Sequence, residues 1–397
     1  METRQSAARQ PQPANPLSDF IAQNIARGTA GQTARNDSAA ALLDAQALAF
    51  LSSPRLRHVL ENWYGLRLLR DVAGTGSGVE VTLLQLAINA DGDLVRDHLA
   101  GEDGALHEEL YDILLFANRC PATADGPGKL QAIAEAAEAF DIVAFATLDP
   151  DIGKTAAERV AAMDAPHQVF DGAGFEAFNA LRTKPLARRL CVMWNDVLAA
   201  EGSSYNPELF IPAAWVAATM MLRSVSASGW PSLKASVRDE LAGFAVATHA
   251  SQGREIATAT RALATEASIA SLASIGIATL NGGMNRDSVR VAHAPLFSAG
   301  KADAQNAPSL DDQLVLARLN QLLQSLLPGV LGQQGTVSHK AEELSERLSE
   351  LARSITESPR FSVDAVKDED GNPLLDITAS MPEGVAAGRS FGFQIPC

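Results

Sequence analysis

The chain has 397 residues, and its 32 basic and 47 acidic side chains give a formal net charge of −15. Hydrophobic residues make up 47% of the chain and charged residues 20%, which is typical of a globular protein with a sizeable core. The acidic balance argues against nucleic-acid binding, which needs a basic face to neutralise phosphates, and against an anionic membrane surface.

Three cysteines, Cys120, Cys191 and Cys397, are too few and too scattered for a disulfide framework or a cysteine zinc site. The first residues lack the apolar core of a signal peptide, so we expect a reducing, cytoplasmic compartment. The most apolar window, residues 210–222, is interrupted by Pro212 and is shorter than the ~20 residues of a membrane span. We therefore expect no membrane insertion.

Composition divides the chain into three parts. Residues 1–38 are rich in polar residues and proline and are expected to form a flexible arm, although the apolar stretch 17–25 could become ordered on a partner. Residues 39–300 are predicted to form an α/β body. Residues 301–397 are predicted to hold a pair of helices followed by C-terminal β-strands.

Hydrophobic periodicity predicts the elements of the body. Helical spacing begins near Ala39, and a second helix follows Pro54. Its predicted apolar face consists of Leu56, Val59, Leu60, Trp63, Leu66 and Leu69. Further helices are predicted at 91–99, 105–118, 129–140, 155–163, 174–181, 207–226 and 266–275. Strands are predicted at 79–88, 141–148, 244–248, 277–280 and 288–292, and the type of the apolar run 190–193 is left open. This alternation predicts layered mixed sheets with flanking helices.

The C-terminal part begins after a polar loop at 299–309. Two amphipathic helices follow, each with an apolar stripe. The first stripe consists of Val315, Leu319, Leu322 and Leu326, and the second of Leu344, Leu348, Leu351 and Ile355. Two alternating segments flank Asp370-Gly371-Asn372, whose residues tolerate positive φ, so a hairpin is predicted, followed by a last strand at 390–395.

Several short motifs fall short of a catalytic or metal site. The segment Ile152-Gly153-Lys154-Thr155 lacks the earlier glycine of a phosphate loop, because Leu148 stands there, and Pro150 removes an amide that the loop would use. The histidines show no ligand spacing, and no carboxylate pair is marked as catalytic. No cofactor, metal or catalytic residue is predicted. All four tryptophans are expected to anchor the core: Trp63, Trp194, Trp215 and Trp230.

One segment resembles a signature of the large subunit of type VI secretion contractile sheaths. Pro54, Leu56 and Val59 are followed by Trp63-Tyr64-Gly65-Leu66 at the offsets of the family's Trp-Arg-Gly-Leu, with Tyr64 replacing Arg and Glu61 one place later than the family's Glu. The helix that closes at Gly229-Trp230 resembles the family's helix ending in Gly-Trp.

Further matches occur in the family's order. They are Leu181-Arg182 with Arg188, the element 272–280 with Gly276, the strand 285–291 and the C-terminal hairpin with its last strand. The family's Pro-Arg after the central strand is absent, and Asn195-Asp196 stands there. The chain is also shorter than a usual large subunit, so the resemblance is to a divergent, short member.

The resemblance implies a non-enzymatic structural subunit of a contractile sheath that polymerises around an inner tube and contracts to expel it. It implies a heterodimer with the small sheath subunit, contacts with neighbouring copies, the inner tube ring protein and the baseplate, and recycling by a disassembly ATPase. The C-terminal strands would join an inter-subunit sheet, and the residues implied in this contact are Phe361, Val363, Leu374, Ile377, Phe391, Phe393 and Ile395.

Several alternatives stay open. The stripe containing Leu42 and Phe50 is a candidate dock for the small subunit, with ordinary core packing as its rival. The C-terminal strands could equally form an intramolecular sheet on the chain's own helices. The chain could instead be a sheath-like paralogue, a phage-tail-type sheath subunit, or a soluble α/β nucleotide-binding enzyme that uses Gly153-Lys154-Thr155.

Overall fold

The structure, a computed structural model, describes residues 33–73, 79–87, 89–233, 240–251, 253–298 and 309–397. Most of the predicted flexible arm, residues 1–32, lies outside the described residues, as does most of the predicted polar loop, residues 299–308. Helix α1 begins at Thr33, ahead of the expected start of order near Ala39.

Helices and strands alternate along the chain. The helices are α1 (Thr33–Leu51), α2 (Pro54–Ala73), α3 (Gly92–Ala100), α4 (Gly126–Ala139), α5 (Ala157–Ala162), α6 (Glu176–Arg182), α7 (Ala213–Ser228), α8 (Glu266–Ser274), α9 (Leu310–Leu331) and α10 (Val337–Arg353). The strands are β1 (Ile113–Cys120), β2 (Val143–Leu148), β3 (Leu190–Trp194), β4 (Val197–Ala200), β5 (Leu209–Ile211), β6 (Leu241–Ala242), β7 (Ala247–Ser251), β8 (Arg254–Thr258), β9 (Ile277–Gly282), β10 (Ser288–Val291), β11 (Arg360–Lys367), β12 (Pro373–Ser380) and β13 (Ser390–Pro396).

A six-stranded mixed sheet with the order β1-β2-β3-β9-β10-β6 forms the centre of the fold. The first four strands are parallel, and Phe145 of β2 pairs with Leu115 of β1 and Cys191 of β3. Strands β10 and β6 complete the sheet in antiparallel fashion. Two short two-stranded sheets, β4-β5 and β7-β8, accompany it. The predicted class, layered mixed sheets with flanking helices, is confirmed.

Alternate strand residues belong to two apolar layers. In β2, Ala144 and Ala146 belong to the layer formed with α3, α4 and the Phe170–Phe178 region, whereas Val143 and Phe145 belong to the layer formed with α7 and the start of α9. All six β2 residues are buried because helices cover both faces of the sheet. The result is a helix–sheet–helix sandwich.

The structure corrects three predicted elements, two of them near β1 and one at the start of α7. Residues 105–118 do not form a helix: a single 3₁₀ turn, Ala105–His107, precedes strand β1. The apolar run of β1 packs on both faces of a parallel sheet, and periodicity alone does not distinguish such a run from a buried helix. Within 79–88, the described residues 79–87 form no strand. The predicted helix start at Pro207 is also wrong, because β5 precedes Pro212 and α7 follows it.

Helix α2 buries a face that is rotated from the predicted one and shares only Leu69 with it. Glu61, Gly65 and Leu69 are buried at intervals of four residues, while Val59 and Trp63 are each 60% exposed. The expectation that Trp63 anchors the core is therefore wrong. The other three tryptophans, Trp194, Trp215 and Trp230, are buried as predicted.

The C-terminal part has the predicted order of two helices, a hairpin and a last strand. Ser309 and Asp312 form a reciprocal capping box at the start of α9. Within the described chain, α9 alone is long and apolar enough to cross a membrane by length and composition, a test that core helices also pass. Its Val315, Leu319 and Leu323 are buried in clusters shared with the C-terminal strands.

The chain divides into two compact units. One comprises residues 1–60 with 200–209, and the other comprises residues 61–199 with 210–397. In the first unit, the Ser204 hydroxyl hydrogen-bonds the Asp44 carboxylate at 3.2 Å. The predicted boundaries after residues 38 and 300 stay predictions.

Candidate assembly interface

The C-terminal sheet is antiparallel, with β12 between β11 and β13. Ile377 of β12 pairs with Val363 on one side and Phe393 on the other. The β11–β12 turn is held by Asp368, whose carboxylate accepts hydrogen bonds from the Asn372 backbone N–H at 2.7 Å and from Asn372 Nδ2 at 2.9 Å. These bonds lower the pKa of Asp368. Gly371 supplies the positive φ, +85°, that the predicted turn requires.

Most predicted partner-binding side chains lie on the inner face of this sheet. The register places Leu375, Ile377 and Ala379 of β12 on one face, and all three are fully buried. The residues that share this face from the flanking strands are Phe361 and Val363 of β11 and Phe391, Phe393 and Ile395 of β13. They pack against α9 and α10 through Leu319, Leu344 and Leu348. These side chains therefore hold the sheet on its own helices.

The remaining predicted partner residues are more accessible. Leu374 lies on the opposite face of β12 and is half-buried. On α1, Leu42 is 60% exposed and Phe50 is 68% exposed, together with Leu43 at 49%. Leu51, at the end of the same helix, is buried. Exposed apolar side chains at this spacing form a stripe that ordinary packing within the described residues leaves open.

The two outer strands differ in what their sequences offer at the edge. Among the described residues, β13 pairs with β12 alone, and it carries no charged residue between Ser390 and Pro396. Strand β11 likewise pairs with β12 alone in the described part of the chain, but Arg360, Asp364 and Lys367 lie along it. Charged edge residues discourage pairing with another chain, so β13 is the less protected edge.

An acidic groove beside helix α10 is a second difference between β11 and β13. A groove between α10 and β11 is lined by small residues, Ala341, Ser345 and Ser349, and by the carboxylates of Glu342, Glu346, Glu350 and Asp364. The carboxylates give this groove an acidic rim, with Arg353 as its one basic lining residue. An added strand at β11 would need to be compatible with this negative charge.

The Gly229-Trp230 pair of the family resemblance joins α7 to the C-terminal sheet. Gly229 ends α7 in the left-handed conformation at φ +88°, and a Cβ there would lie 2.6 Å from Ile355 Cγ2. The Trp230 indole Nε1 donates to the Glu357 carbonyl at 2.8 Å, and the ring packs with Val315 and Met381. On the sheet side, Arg389 pairs with the buried carboxylate of Asp312.

Some residues of the motif from Pro54 to Leu66 contribute to packing, and others do not. Pro54 is the first residue of α2, as predicted. Gly65 allows close contact with Trp215, because a Cβ at this position would lie 2.4 Å from Trp215 Cγ. Leu66 packs partly buried against the α7 layer, whereas Trp63 points to solvent. The motif thus positions α2 against α7, and its tryptophan does not contribute to the core.

An ionic cluster lies at the carboxyl ends of the parallel strands. The Arg119 guanidinium donates from Nη1 to Glu61 at 2.6 Å, from Nε to Asp196 at 2.8 Å and from Nη2 to the Phe210 carbonyl at 3.0 Å. An irregularity in the β1–β2 register between Phe116 and Arg119 redirects this side chain. Three chain segments distant in sequence therefore meet at one arginine.

Each acidic partner in the cluster also accepts a backbone hydrogen bond. Asp196 accepts from the Ala213 N–H at 3.1 Å, at the start of α7, and Glu61 accepts from the Phe210 N–H at 3.2 Å. Burial raises the pKa of Asp196, and Arg119 opposes that rise. Burial would lower the pKa of Arg119, but Asp196 and Glu61 outweigh it and leave this pKa raised.

This cluster fills the place where an α/β enzyme of this layout would bind its ligand. Ligands of open parallel sheets bind beyond the carboxyl ends of the strands. Here Asp196 and Thr147 accept hydrogen bonds from the first amides of α7, Ala213 and Ala214, so the helix start is capped by the chain itself. Among the described residues, no group of three or more His, Cys, Asp or Glu could hold a metal ion.

The segment Ile152–Thr155 is a tight turn. Ile152 and Thr155 exchange backbone hydrogen bonds at 3.0 and 3.1 Å around Gly153, whose φ is +62°. The start of α5 is already occupied, because the Ala157 N–H donates to the Asp151 carboxylate at 3.0 Å. Nothing in this geometry favours a nucleotide at Lys154.

Sequence reasoning did not single out the cluster of Glu61, Arg119 and Asp196. The available signals were charges inside apolar runs, since Arg119 ends the run of β1 and Asp196 follows that of β3. Glu61 and Asp196 appeared only as departures from the family pattern. Their pairing depends on contacts across 58 and 77 residues, which local spacing does not reveal.

Comparison with known proteins finds no sequence match and a weak structural likeness. No protein-family model matches the chain, and no curated protein matches it. Among solved structures, the crystal structure of the sheath tail protein from Desulfitobacterium hafniense is similar, with a TM-score of 0.45 and 13% identity over 80% of this chain. This chain covers 65% of that protein's length.

Proposed function

We propose that this chain is a structural subunit of a contractile sheath, and that its C-terminal sheet pairs with strands of neighbouring subunits. The observation that carries the proposal is the uncharged edge of β13, which no other described strand pairs with, on a sheet fixed to the chain's own helices. The sequence resemblance of the Pro54–Leu66 and Gly229-Trp230 segments to large sheath subunits supports it. The same resemblance is the reason for preferring a non-enzymatic role.

The physical logic is that of rigid bodies joined by main-chain hydrogen bonds. An added strand gains affinity from backbone pairing, and this pairing persists while the attached bodies re-pack. The inner-face contacts of Phe361 and Phe393 with the helices keep each sheet attached to its own subunit. When an extended lattice shortens, each subunit buries slightly more surface. The small gains in free energy per subunit then add up over the whole polymer.

The finer identity follows the resemblance. In this proposal the chain acts in the bacterial cytoplasm as a divergent large subunit of a type VI secretion-like machine. It would pair with a small sheath subunit and surround an inner tube on a baseplate, and a disassembly ATPase would recycle it. A sheath-like paralogue or a phage-tail-type sheath subunit would use the same edge pairing, so those alternatives differ in partners and share the mechanism.

A lysine scan across the outer face of the C-terminal sheet tests the proposal. Ser362, Thr378 and Gly392 stand side by side on β11, β12 and β13. A Cβ at Gly392 meets no atom within 4 Å, so Gly392→Lys is sterically tolerated. Lysine on an edge strand opposes pairing with another strand. We expect Gly392→Lys to abolish polymer formation in electron micrographs of the protein co-expressed with its genomic neighbours.

Thr378→Lys is the matched control, because it puts the same charge on the same face of the central strand. It should assemble like the wild type. Ser362→Lys reports on the β11 edge in the same way. Normal polymers from both edge variants would contradict strand pairing, and a wild-type chain that stays monomeric beside every candidate neighbour would contradict the sheath function.

A further inference from the structure

A cavity of about 530 Å³ lies beside β1, the edge strand of the six-stranded sheet. Residues 111–118 line it on one side, and residues 79–84 line it on another. Successive residues of a strand point to opposite faces, so a cavity above one face would touch only every second residue. A cavity that touches consecutive residues lies along the free main-chain edge of β1.

Both helical layers extend past β1 over this cavity. Leu99 and Leu106 line it from the layer that contains α3, and Trp215 and Met221 line it from the layer that contains α7. Helices that flank a sheet normally pack on its strands. Here they enclose the space that one more strand would fill.

Residues 79–84, on the other side of the cavity, have the sequence pattern of a β-strand but belong to no sheet in the described part of the chain. Apolar and polar residues alternate at the start of Val79–Ala87, which predicts a strand, yet these residues pair with no strand in the described chain. Val81 is 40% exposed and Leu83 is 62% exposed. A strand-like segment with exposed apolar residues indicates a missing neighbour, because an added strand would bury them.

Two buried side-chain nitrogens at the cavity have no hydrogen-bond partner among the described residues. They are Nε2 of His98 and Nε of Arg318, and both residues line the cavity. The Nη1 atom of Arg318 donates to Asp112 at 3.0 Å, so only part of the guanidinium is satisfied. Buried donors need acceptors, and a carboxylate is the acceptor that suits an arginine.

We propose that an extended segment of another polypeptide inserts here as a strand between β1 and residues 79–84. Its chemistry follows from its surroundings. Apolar residues would face both helical layers, as in an interior strand of a parallel sheet, and a carboxylate would reach Arg318 and His98. The inserted strand and residues 79–84 would extend the main sheet. This site is separate from β13, so a test of this proposal does not depend on whether the C-terminal strands pair with another subunit.

A peptide that copies residues 141–149, Asp-Ile-Val-Ala-Phe-Ala-Thr-Leu-Asp, is a suitable probe. It contains β2, which pairs with the opposite edge of β1 and is apolar on both faces, and carboxylates flank it. We expect the peptide to slow amide hydrogen exchange by about tenfold or more in residues 79–87 and 111–118 of the full chain, measured by mass spectrometry. Exchange in β11–β13 should not change.

Two exposed residues provide variants that leave the free chain intact. Val81→Asp and Leu83→Asp each put a charge on the segment opposite β1, and we expect each to weaken peptide binding by about tenfold. Neither should change the melting temperature by more than a few degrees, since Val81 is 40% exposed and Leu83 is 62% exposed in the free chain. Leu94→Asp is the matched control, because Leu94 is 49% exposed and does not line the cavity.

Three results of the exchange experiment, and one result of the variant comparison, would overturn the proposal. The first is unchanged exchange of both segments at saturating peptide. The second is slow exchange of residues 79–87 without peptide, which would show that this segment already pairs with β1. The third is protection by dodecanoate and not by the peptide, which would make the cavity a small-molecule site. Equal binding by the Leu83→Asp and Leu94→Asp variants would also contradict it.

Discussion

Arg119 joins three segments that are far apart in the chain, because Glu61, Asp196 and the Phe210 carbonyl all accept hydrogen bonds from it. Its side chain is 16% exposed, and those of Glu61 and Asp196 are 2% and 1% exposed. Removing one member of a buried pair leaves the other charge without compensation. Such a residue is therefore more important for stability than any surface ion pair of this chain.

We predict that Arg119→Met lowers the free energy of unfolding by about 3–5 kcal/mol, because it removes the nearest cation from two buried carboxylates and leaves Asp196 with Arg261 at 3.8 Å. Denaturant unfolding followed by circular dichroism measures this change. Arg119→Lys should lose less, since it keeps the charge but not the planar fork. Arg70→Met is the control, because Arg70 pairs with Asp71 at the surface and should change stability by about 0.5 kcal/mol or less. Equal losses for Arg119→Met and Arg70→Met would contradict the assigned role.

At the scale of elements, the ends of helices and the turns follow local chemistry. The hairpin was predictable because Asp370, Gly371 and Asn372 specify a turn and the flanking residues alternate. The end of α7 at Gly229 was predictable for a similar reason. β1 was mistaken for a helix because its apolar run is buried on both faces, and only pairing with β2 identifies it as a strand.

Replacing a glycine by alanine at the end of α7 and in the β11–β12 turn separates the cost of backbone strain from the cost of crowded packing. Gly229 and Gly371 have similar positive φ values of +88° and +85°, but only Gly229 has a neighbour, Ile355, in the path of a Cβ. Gly371→Ala should cost about 1–2 kcal/mol from the left-handed conformation alone. Gly229→Ala should cost about 1–3 kcal/mol more, because Ile355 must move. Thermal unfolding measures both, and equal losses would show that Ile355 yields without cost.

At the scale of the whole molecule, the net charge of −15 affects assembly. Copies of an acidic chain repel one another, whereas strand pairing and apolar contact depend little on salt. We predict that polymer yield rises as ionic strength increases from about 50 mM to about 500 mM, where the screening length falls to a few ångströms. Sedimentation of assembled material measures the yield.

The opposite salt dependence would indicate a different kind of interface. If polymers dissociate as salt is added, complementary charges hold the subunits together, and the acidic groove between α10 and β11 becomes the leading contact. Gly392→Lys serves as a control, since a variant unable to pair at β13 should stay unassembled at every salt concentration.

The amino-acid sequence by itself determined the fold class, the order of most elements and the C-terminal hairpin, because periodicity, capping and turn chemistry act within a few residues. Only the tertiary structure decided which face of α2 is buried, where Glu61, Arg119 and Asp196 meet, and which strands are left with a free edge. These features depend on contacts between residues far apart in the chain. In the sequence β1 is an apolar run and β13 is an alternating segment, and only the assembled sheets show that each has one side that no other described strand pairs with.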